Sequence, residues 1–155
     1  MIAPSVLITD DDAAFRETLG GVLEPLGVRP LLAADGKEAL DIVQHEEVHL
    51  VLLDMHMPRM TGIETVEQIK QFRAALPCVL LSARLDEQIV EQARRAHVFS
   101  VLSKPVTRRQ ITGVVGQALH TAYNWPGQVQ TVRITFRGEF VTRPKRHPDR
   151  EDEKP

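Results

Sequence analysis

One cysteine, Cys78, is all that the 155 residues contain. An internal disulfide framework is thereby excluded, and a reducing, cytoplasmic setting is expected. No apolar run approaches the ~18 residues of a membrane span. Nor does the N-terminus read as a signal peptide, because Asp10, Asp11 and Asp12 arrive before any long apolar stretch. Neither sign of charge dominates: 19 Lys and Arg stand against 21 Asp and Glu, a net of -2. A strongly basic nucleic-acid binder is therefore not indicated. No internal repeat recurs at the usual periods.

What remains is an ordinary globular balance, 43% hydrophobic and 26% charged, in about one domain's length of chain. Charge is unevenly spread. Residues 1–123 hold 12 Lys and Arg against 16 Asp and Glu, a net of -4, whereas residues 124–155 hold 7 against 5, a net of +2. The second stretch also carries Pro126, Pro144, Pro148 and Pro155. A boundary is placed near Asn124: an acidic globular domain over 1–123, an extension over 124–142, and a disordered tail over 143–155.

Within the first 123 residues, short apolar runs alternate with helical patterns. Ser5 to Thr9, Val28 to Ala33, His49 to Leu53, Cys78 to Leu81 and Val98 to Leu102 read as five strands. Between and after them, apolar residues recur at helical spacing. Phe15, Leu19, Val22, Leu23 and Leu26 form a stripe that Gly27 ends and Pro25 distorts. Asp35 with Glu38, Thr61 with Glu64 and Thr107 with Gln110 have the spacing of capping boxes, and Asp86 is a further cap. The third of these helices is expected to bury Val66, Ile69 and either Phe72 or Arg73. Five alternating units predict a doubly wound parallel α/β sheet covered by helices on both faces, with right-handed crossovers.

Ligands of such sheets bind beyond the carboxyl ends of the strands, so the residues ending each strand carry the functional information. The first strand ends in Asp10-Asp11-Asp12, the third in Asp54, the fourth in Ser82 and the fifth in Ser103-Lys104-Pro105. Carboxylates gathered in one place repel one another. A hard divalent cation relieves that repulsion, and Mg²⁺ suits one or two carboxylates together with phosphate oxygens. A lone lysine beside the acids suits a phosphate-like anion, and a hydroxyl can donate to it. Asp12 reads instead as a helix cap.

Leu7 to Asp12, Leu53 to Gly62 (Asp-Met-x-Met-Pro-x-Met-x-Gly from Asp54), Leu81 to Arg84 and Ser103 to Pro105 together resemble the receiver domain of bacterial two-component response regulators, over roughly residues 4–122. The resemblance implies the flavodoxin-like strand order 2-1-3-4-5. It implies Asp54 as phosphoacceptor and Mg²⁺ held by Asp10, Asp11, Asp54 and the backbone carbonyl of His56. It further implies Ser82 as the switch hydroxyl, Lys104 as partner of the phosphoryl oxygens, and a cis peptide before Pro105. A sensor histidine kinase or phosphotransfer protein would be the donor, and a downstream protein would read the output. Such a chain is a self-phosphorylating acceptor with slow autophosphatase activity and no conventional enzyme. Three positions depart from the family pattern: Thr9 where an apolar residue is commoner, His97 for a glycine, and Val101 for the usual switch aromatic.

Two rival readings stand beside this one. A receiver-like interaction module that is never phosphorylated would not need the intact acids, hydroxyl and lysine. A Mg²⁺-dependent phosphohydrolase would carry its nucleophilic Asp after the first strand, with a second acid two residues on; here the lone acid follows the third strand and is followed by His56. The His56 side chain is not expected to be a ligand, the other histidines lack zinc spacing, and Cys78 reads as inert core. In the extension, Val132, Ile134 and Phe136 alternate with polar residues as a half-buried strand, with a return over Phe140 to Thr142. A lone hairpin is marginal, so this arm is expected to dock on a sheet edge in its own chain or in a homodimer. No recognition helix or zinc-finger spacing marks a DNA-reading domain, so DNA is not an expected partner.

Overall fold

In the computed structural model, residues 3–126 are described. The arm expected over 131–142 and the tail over 143–155 lie outside the described residues.

The strands are β1 (Ser5–Thr9), β2 (Arg29–Ala33), β3 (Leu50–Asp54), β4 (Cys78–Ser82) and β5 (Ser100–Ser103). The helices are α1 (Ala13–Leu23), α2 (Gly36–His45), α3 (Gly62–Phe72), α4 (Glu87–Arg95) and α5 (Arg108–Tyr123). All strand pairs are parallel, in the order β2-β1-β3-β4-β5. This is the order the resemblance implied. It reverses direction between β1 and β3, so the chain ends of those two strands lie side by side at the switch point of the sheet.

Alternation along the strands explains why they read as unbroken apolar runs. In β1, Val6 and Ile8 join one core layer with Leu19, Leu23, Val114 and Leu119 of α1 and α5. Leu7, between them, joins the opposite layer with Ala39, Val66, Ile69 and Ala93 of α2, α3 and α4. A strand covered on both faces has no polar side to show. β2 is the exception. It is a sheet edge, it contains Pro30, and Leu32 is exposed, which is where proline is tolerated because no outer ladder partner needs its N–H.

Local signals set most element ends. Thr61 and Thr107 head complete capping boxes with Glu64 and Gln110, while Asp12 and Asp86 cap α1 and α4 through the N–H groups of Phe15 and Ile89. Asp35 accepts from the Glu38 N–H at 2.8 Å, but the Glu38 carboxylate takes the N–H of Ala34 rather than that of Asp35. The expected reciprocal box is therefore shifted by one residue toward β2. Pro25 ends α1 as regular helix, and the chain tightens into a 3₁₀ turn over Glu24–Leu26 closed by Gly27 at φ 92°.

Packing at the ends of α3 and α5 decides between Phe72 and Arg73 and moves the edge of the packed body. Phe72, at the end of α3, is exposed, and Arg73 is the residue that turns inward, its guanidinium donating to the Val48 carbonyl at 2.9 Å. The helix axis ends there, and the carbonyl needs a donor that a ring cannot supply. Trp125 is buried against the α1/α5 layer, so the packed body runs past Asn124, which adopts the left-handed cap conformation after α5. At the same end of the sheet, the Tyr123 hydroxyl donates to the His49 carbonyl at 2.7 Å and the Ser5 N–H donates to His49 Nδ1 at 2.9 Å.

Burial leaves two testable consequences. Cys78 is fully buried, and desolvation pushes its thiol up to about 12. Native protein at pH 8 should therefore resist iodoacetamide, and mass spectrometry should show alkylation only at the rate of unfolding. Thr9 Oγ1 is buried with no hydrogen-bond partner among the described residues, a desolvation cost without return. Thr9→Val should raise the urea midpoint, by ~1 kcal/mol in unfolding free energy. A lowered midpoint would mean that a buried water satisfies the hydroxyl.

Candidate functional site

At the switch point, β1 delivers Asp10 and Asp11, and β3 delivers Asp54 as its last residue. One carboxylate oxygen from each of the three lies within 4.8 Å of the others. Asp10 and Asp54 are buried, and Asp11 is exposed. β5 supplies the counter-charge from the other side: Lys104 Nζ is 3.1 Å from Asp10 Oδ2 and 3.1 Å from Asp54 Oδ1. Lys104 is aimed by the strand it follows, its own N–H donating to the Ser82 carbonyl at 2.8 Å, and by the cis peptide to Pro105.

Three acids thus meet at a rim where one ammonium pairs with two of them, and the electrostatics show it. Burial pushes the Asp54 carboxyl above the usual range, and the charges of Asp10 and Asp11 add to the shift, against the hydrogen bond from Lys104. For Lys104, burial works against the charged form, yet its hydrogen bonds to Asp10 and Asp54 outweigh it and hold the ammonium above the ordinary lysine range. The lysine's charge is secured; the aspartate's is not fully compensated. Such a site attracts a further cation, and its donor set is oxygen alone, which fits a hard ion such as Mg²⁺ and not a thiolate- or imidazole-seeking metal.

The other named residues divide. Ser82, the last residue of β4, is buried; its hydroxyl donates to the Arg84 carbonyl, accepts from the Arg84 N–H at 3.2 Å, and lies 3.4 Å from His56 Nε2. The structure brings Ser82 to the same rim, with its hydroxyl engaged in its own turn. The His56 side chain is exposed. Val101, at the position of the expected switch aromatic, is fully buried in the core. His97 adopts φ 60°, the left-handed conformation that explains why a glycine suits that position.

Two neighbours of the acids escaped motif reading. Arg16 Nη1 donates to the Asp10 carbonyl at 2.7 Å, and the Phe15 ring centroid lies 4.3 Å from Lys104 Nζ. Phe15 was visible only as one apolar residue of a helical stripe, because its contact spans most of the domain in sequence. Below the acids, the Gly62 N–H donates to the Met55 carbonyl at 2.9 Å, and a Cβ on Gly62 would lie 2.5 Å from the Asp54 carbonyl oxygen. Only glycine allows α3 to start that close to the strand end.

Comparison with known proteins follows this geometry. A family model described as the response regulator receiver domain matches residues 6–116. The chain is similar to the glycerol metabolism activator of Pseudomonas putida, 32% identical over 136 residues that cover 85% of this chain and 62% of that protein. It is also similar to the Regulator of RpoS of Escherichia coli, 33% identical over 106 residues, 68% of this chain and 32% of that protein. The chain therefore spans less than two thirds of the length of these relatives. Among solved structures, the signal receiver domain of an HD domain-containing protein from Pseudomonas fluorescens superposes with a TM-score of 0.75 at 26% identity, covering 79% of this chain and 99% of that one. The chemotaxis protein CheY4 of Vibrio cholerae shares the fold, with a TM-score of 0.73 at 24% identity over 76% of this chain and 99% of that one. Among the described residues, no helix is long and apolar enough to cross a membrane.

The uneven charge balance gives a direct test. Among the described residues Asp11 has no ion pair and adds repulsion, whereas Asp10 holds Lys104. In chelator-treated protein at low ionic strength, Asp11→Asn should raise the melting temperature, by roughly 1–3 °C, and Asp10→Asn should lower it. Calorimetry decides between this and a site in which the acids are indifferent to one another.

Proposed function

The chain belongs to the family of response regulator receiver domains, which are phosphorylated on an aspartate in phosphorelay signalling, and from that premise we propose that Asp54 is the phosphoacceptor. The observation that carries this reading is the convergence of Asp10, Asp11, Asp54 and Lys104 from three separate strand ends. Asp10, Asp11 and Asp54, with the His56 backbone carbonyl, would hold Mg²⁺. When bound, the ion neutralises negative charge on the phosphoryl oxygens.

The chain's own residues then do the following. An ionised Asp54 oxygen attacks the phosphorus of a phospho-histidine, the P–N bond breaks, and its electron pair returns to the imidazole of the donor. No proton has to leave the carboxylate. Lys104 turns from the Asp54 carboxylate to a phosphoryl oxygen, since the acyl phosphate leaves that carboxyl group uncharged. Ser82 exchanges its bond to the Arg84 carbonyl for one to another phosphoryl oxygen. Catalysis is by positioning and electrostatics. Later attack of water on phosphorus restores the carboxylate and resets the site, the slow autophosphatase step.

Receiver domains take phosphoryl groups from histidine kinases or phosphotransfer proteins. For this chain, the proposed output is a changed surface around β4, α4, β5 and α5, read by a partner protein or a second copy, in the cytoplasm. With Val101 buried at the aromatic's position, that change starts from Ser82 without a rotating ring.

Acetyl phosphate with Mg²⁺ should add one phosphoryl group, seen as intact mass, to the wild type and none to Asp54→Asn. Equal labelling of the variant would overturn the assignment. An absence of labelling in both would favour the interaction module. Mg²⁺ should also stabilise the fold, by ~2.7 kcal/mol in unfolding free energy at one hundred times its dissociation constant, read as a melting temperature that rises with concentration, and this dependence should vanish in Asp11→Asn. Lys104→Ala should remain folded while its labelling rate falls.

A further inference from the structure

Lys104 meets more than carboxylates. Its ammonium meets Asp10 and Asp54, each at 3.1 Å, and on another side it faces the Phe15 ring at 4.3 Å from the centroid. We propose that Phe15 is a positioning residue for Lys104: its ring face forms a wall that keeps the ammonium over the acids and in reach of a phosphoryl oxygen. This rests on the phosphoacceptor reading and names a residue that no motif marks.

The chemistry of lysine makes such a wall useful. The side chain has four rotatable bonds and a strongly hydrated head, so on its own it would spread over many rotamers in water. A ring face attracts the cation electrostatically within about 6 Å, and more so where water is partly excluded. Lys104 meets that condition, with its side chain 23% exposed. The ring also offers something the acids do not. On transfer the Asp54 carboxylate loses its charge, so Lys104 changes one of its partners during the reaction, whereas the Phe15 face is the same before and after.

The start of α1 holds the ring in place. Asp12 N–H donates to Asp10 Oδ1 at 2.9 Å, and Asp12 Oδ1 accepts from the Phe15 N–H at 3.2 Å. Asp10, Asp12 and Phe15 are one hydrogen-bonded unit, and its two ends both touch Lys104. The third acid of the Asp10-Asp11-Asp12 run thereby gains a function without touching the site: its cap sets where the ring stands. Arg16, next in the helix, ties the same turn to the Asp10 carbonyl at 2.7 Å.

The full chain is compared as wild type, Phe15→Leu and Phe15→Tyr. Leucine keeps an apolar wall and removes the ring face; tyrosine keeps the face. Two measurements are made on each: the proton shifts of the Lys104 ε-methylene by NMR, and the rate of Asp54 labelling by acetyl phosphate with Mg²⁺. The ε-methylene should be shifted upfield by the ring in the wild type and in Phe15→Tyr, and should return to the ordinary position in Phe15→Leu. Labelling should slow by about fivefold to tenfold in Phe15→Leu and stay near the wild-type rate in Phe15→Tyr. Phe15→Met is the second apolar replacement if Phe15→Leu lowers the melting temperature.

No upfield shift in the wild type would overturn the proposal, as would labelling of Phe15→Leu at the wild-type rate. Equal slowing in Phe15→Leu and Phe15→Tyr would also overturn it, by showing that shape and not the ring face matters. A wild type that shows the shifted ε-methylene but never labels would overturn the phosphoacceptor reading itself, a pattern that none of the variant outcomes reproduces.

Discussion

Three carboxylates crowded at the end of a buried sheet, with one ammonium among them, form the constraint on which the rest of this structure depends. Burying a charge is costly unless it is paired, and here the pairing is incomplete by design of the topology. Lys104 reaches Asp10 from 94 residues away in sequence, and it does so because β5 ends on the same rim as β1 and β3. The apolar layers on both faces of the sheet provide the stability that allows the rim to remain electrostatically unsatisfied. A site that is short of positive charge when empty is one that gains when a cation arrives, and a function can be read from that shortage.

The acids of the chain perform two physically different tasks. Asp12, Asp35 and Asp86 each accept backbone N–H groups at the start of a helix. Their charge meets the positive end of a helix dipole and is exposed to solvent. Asp35 shows the consequence: its helix N–H bond, helped by Arg59, holds its carboxyl below the ordinary range. Asp54 lies in the opposite regime, ending a strand with burial as its main influence, and its carboxyl is pushed the other way. Aspartate is thus tuned down at the Asp35 cap and up at Asp54, where it ends the central strand.

Most of the fold was legible because it is written in local chemistry. Continuous apolar runs mark strands covered on both faces, and the boxes at Thr61 and Thr107 need only residues three apart. Asp10, Asp11, Asp54 and Lys104 were legible because a parallel sheet gathers strand ends at one rim. What escaped depends on tertiary contact. The carboxylate of Glu38 chose the N–H of Ala34, a preference set by how β2 enters α2. Arg73 rather than Phe72 turned inward, where its guanidinium donates to the Val48 carbonyl. Trp125 looked like the opening of a proline-marked linker and instead completes the α1/α5 core. Phe15 looked like core only; it packs against the α1/α5 layer and also meets Lys104. For Arg73, Trp125 and Phe15 the deciding atom belongs to an element distant in sequence, whereas for Glu38 it lies four residues away.

The run from Asp54 to Gly62 shows how a local pattern and a tertiary demand can coincide. Asp54 must end its strand with its side chain at the rim while its backbone continues into a tight connection to α3. Met55 carries the ladder one step further, its N–H donating to the Leu81 carbonyl at 2.8 Å, and its carbonyl accepts from Gly62 at 2.9 Å. Arg59, in between, adopts φ 66°, so the loop folds back on itself within a few residues. The first turn of α3 is thereby pressed against the backbone of Asp54. A side chain at Gly62 would collide with the Asp54 carbonyl oxygen, the Met55 Cα and the Leu80 side chain at once. The glycine is therefore required by the position of Asp54, and the capping box at Thr61 is required by the glycine, since a helix that starts so abruptly needs its first N–H groups satisfied at once. Asp54, the loop and the start of α3 are joined by these contacts, so the eight-residue interval from Asp54 to Gly62 is set by the distance the chain must cover to return to its own strand end.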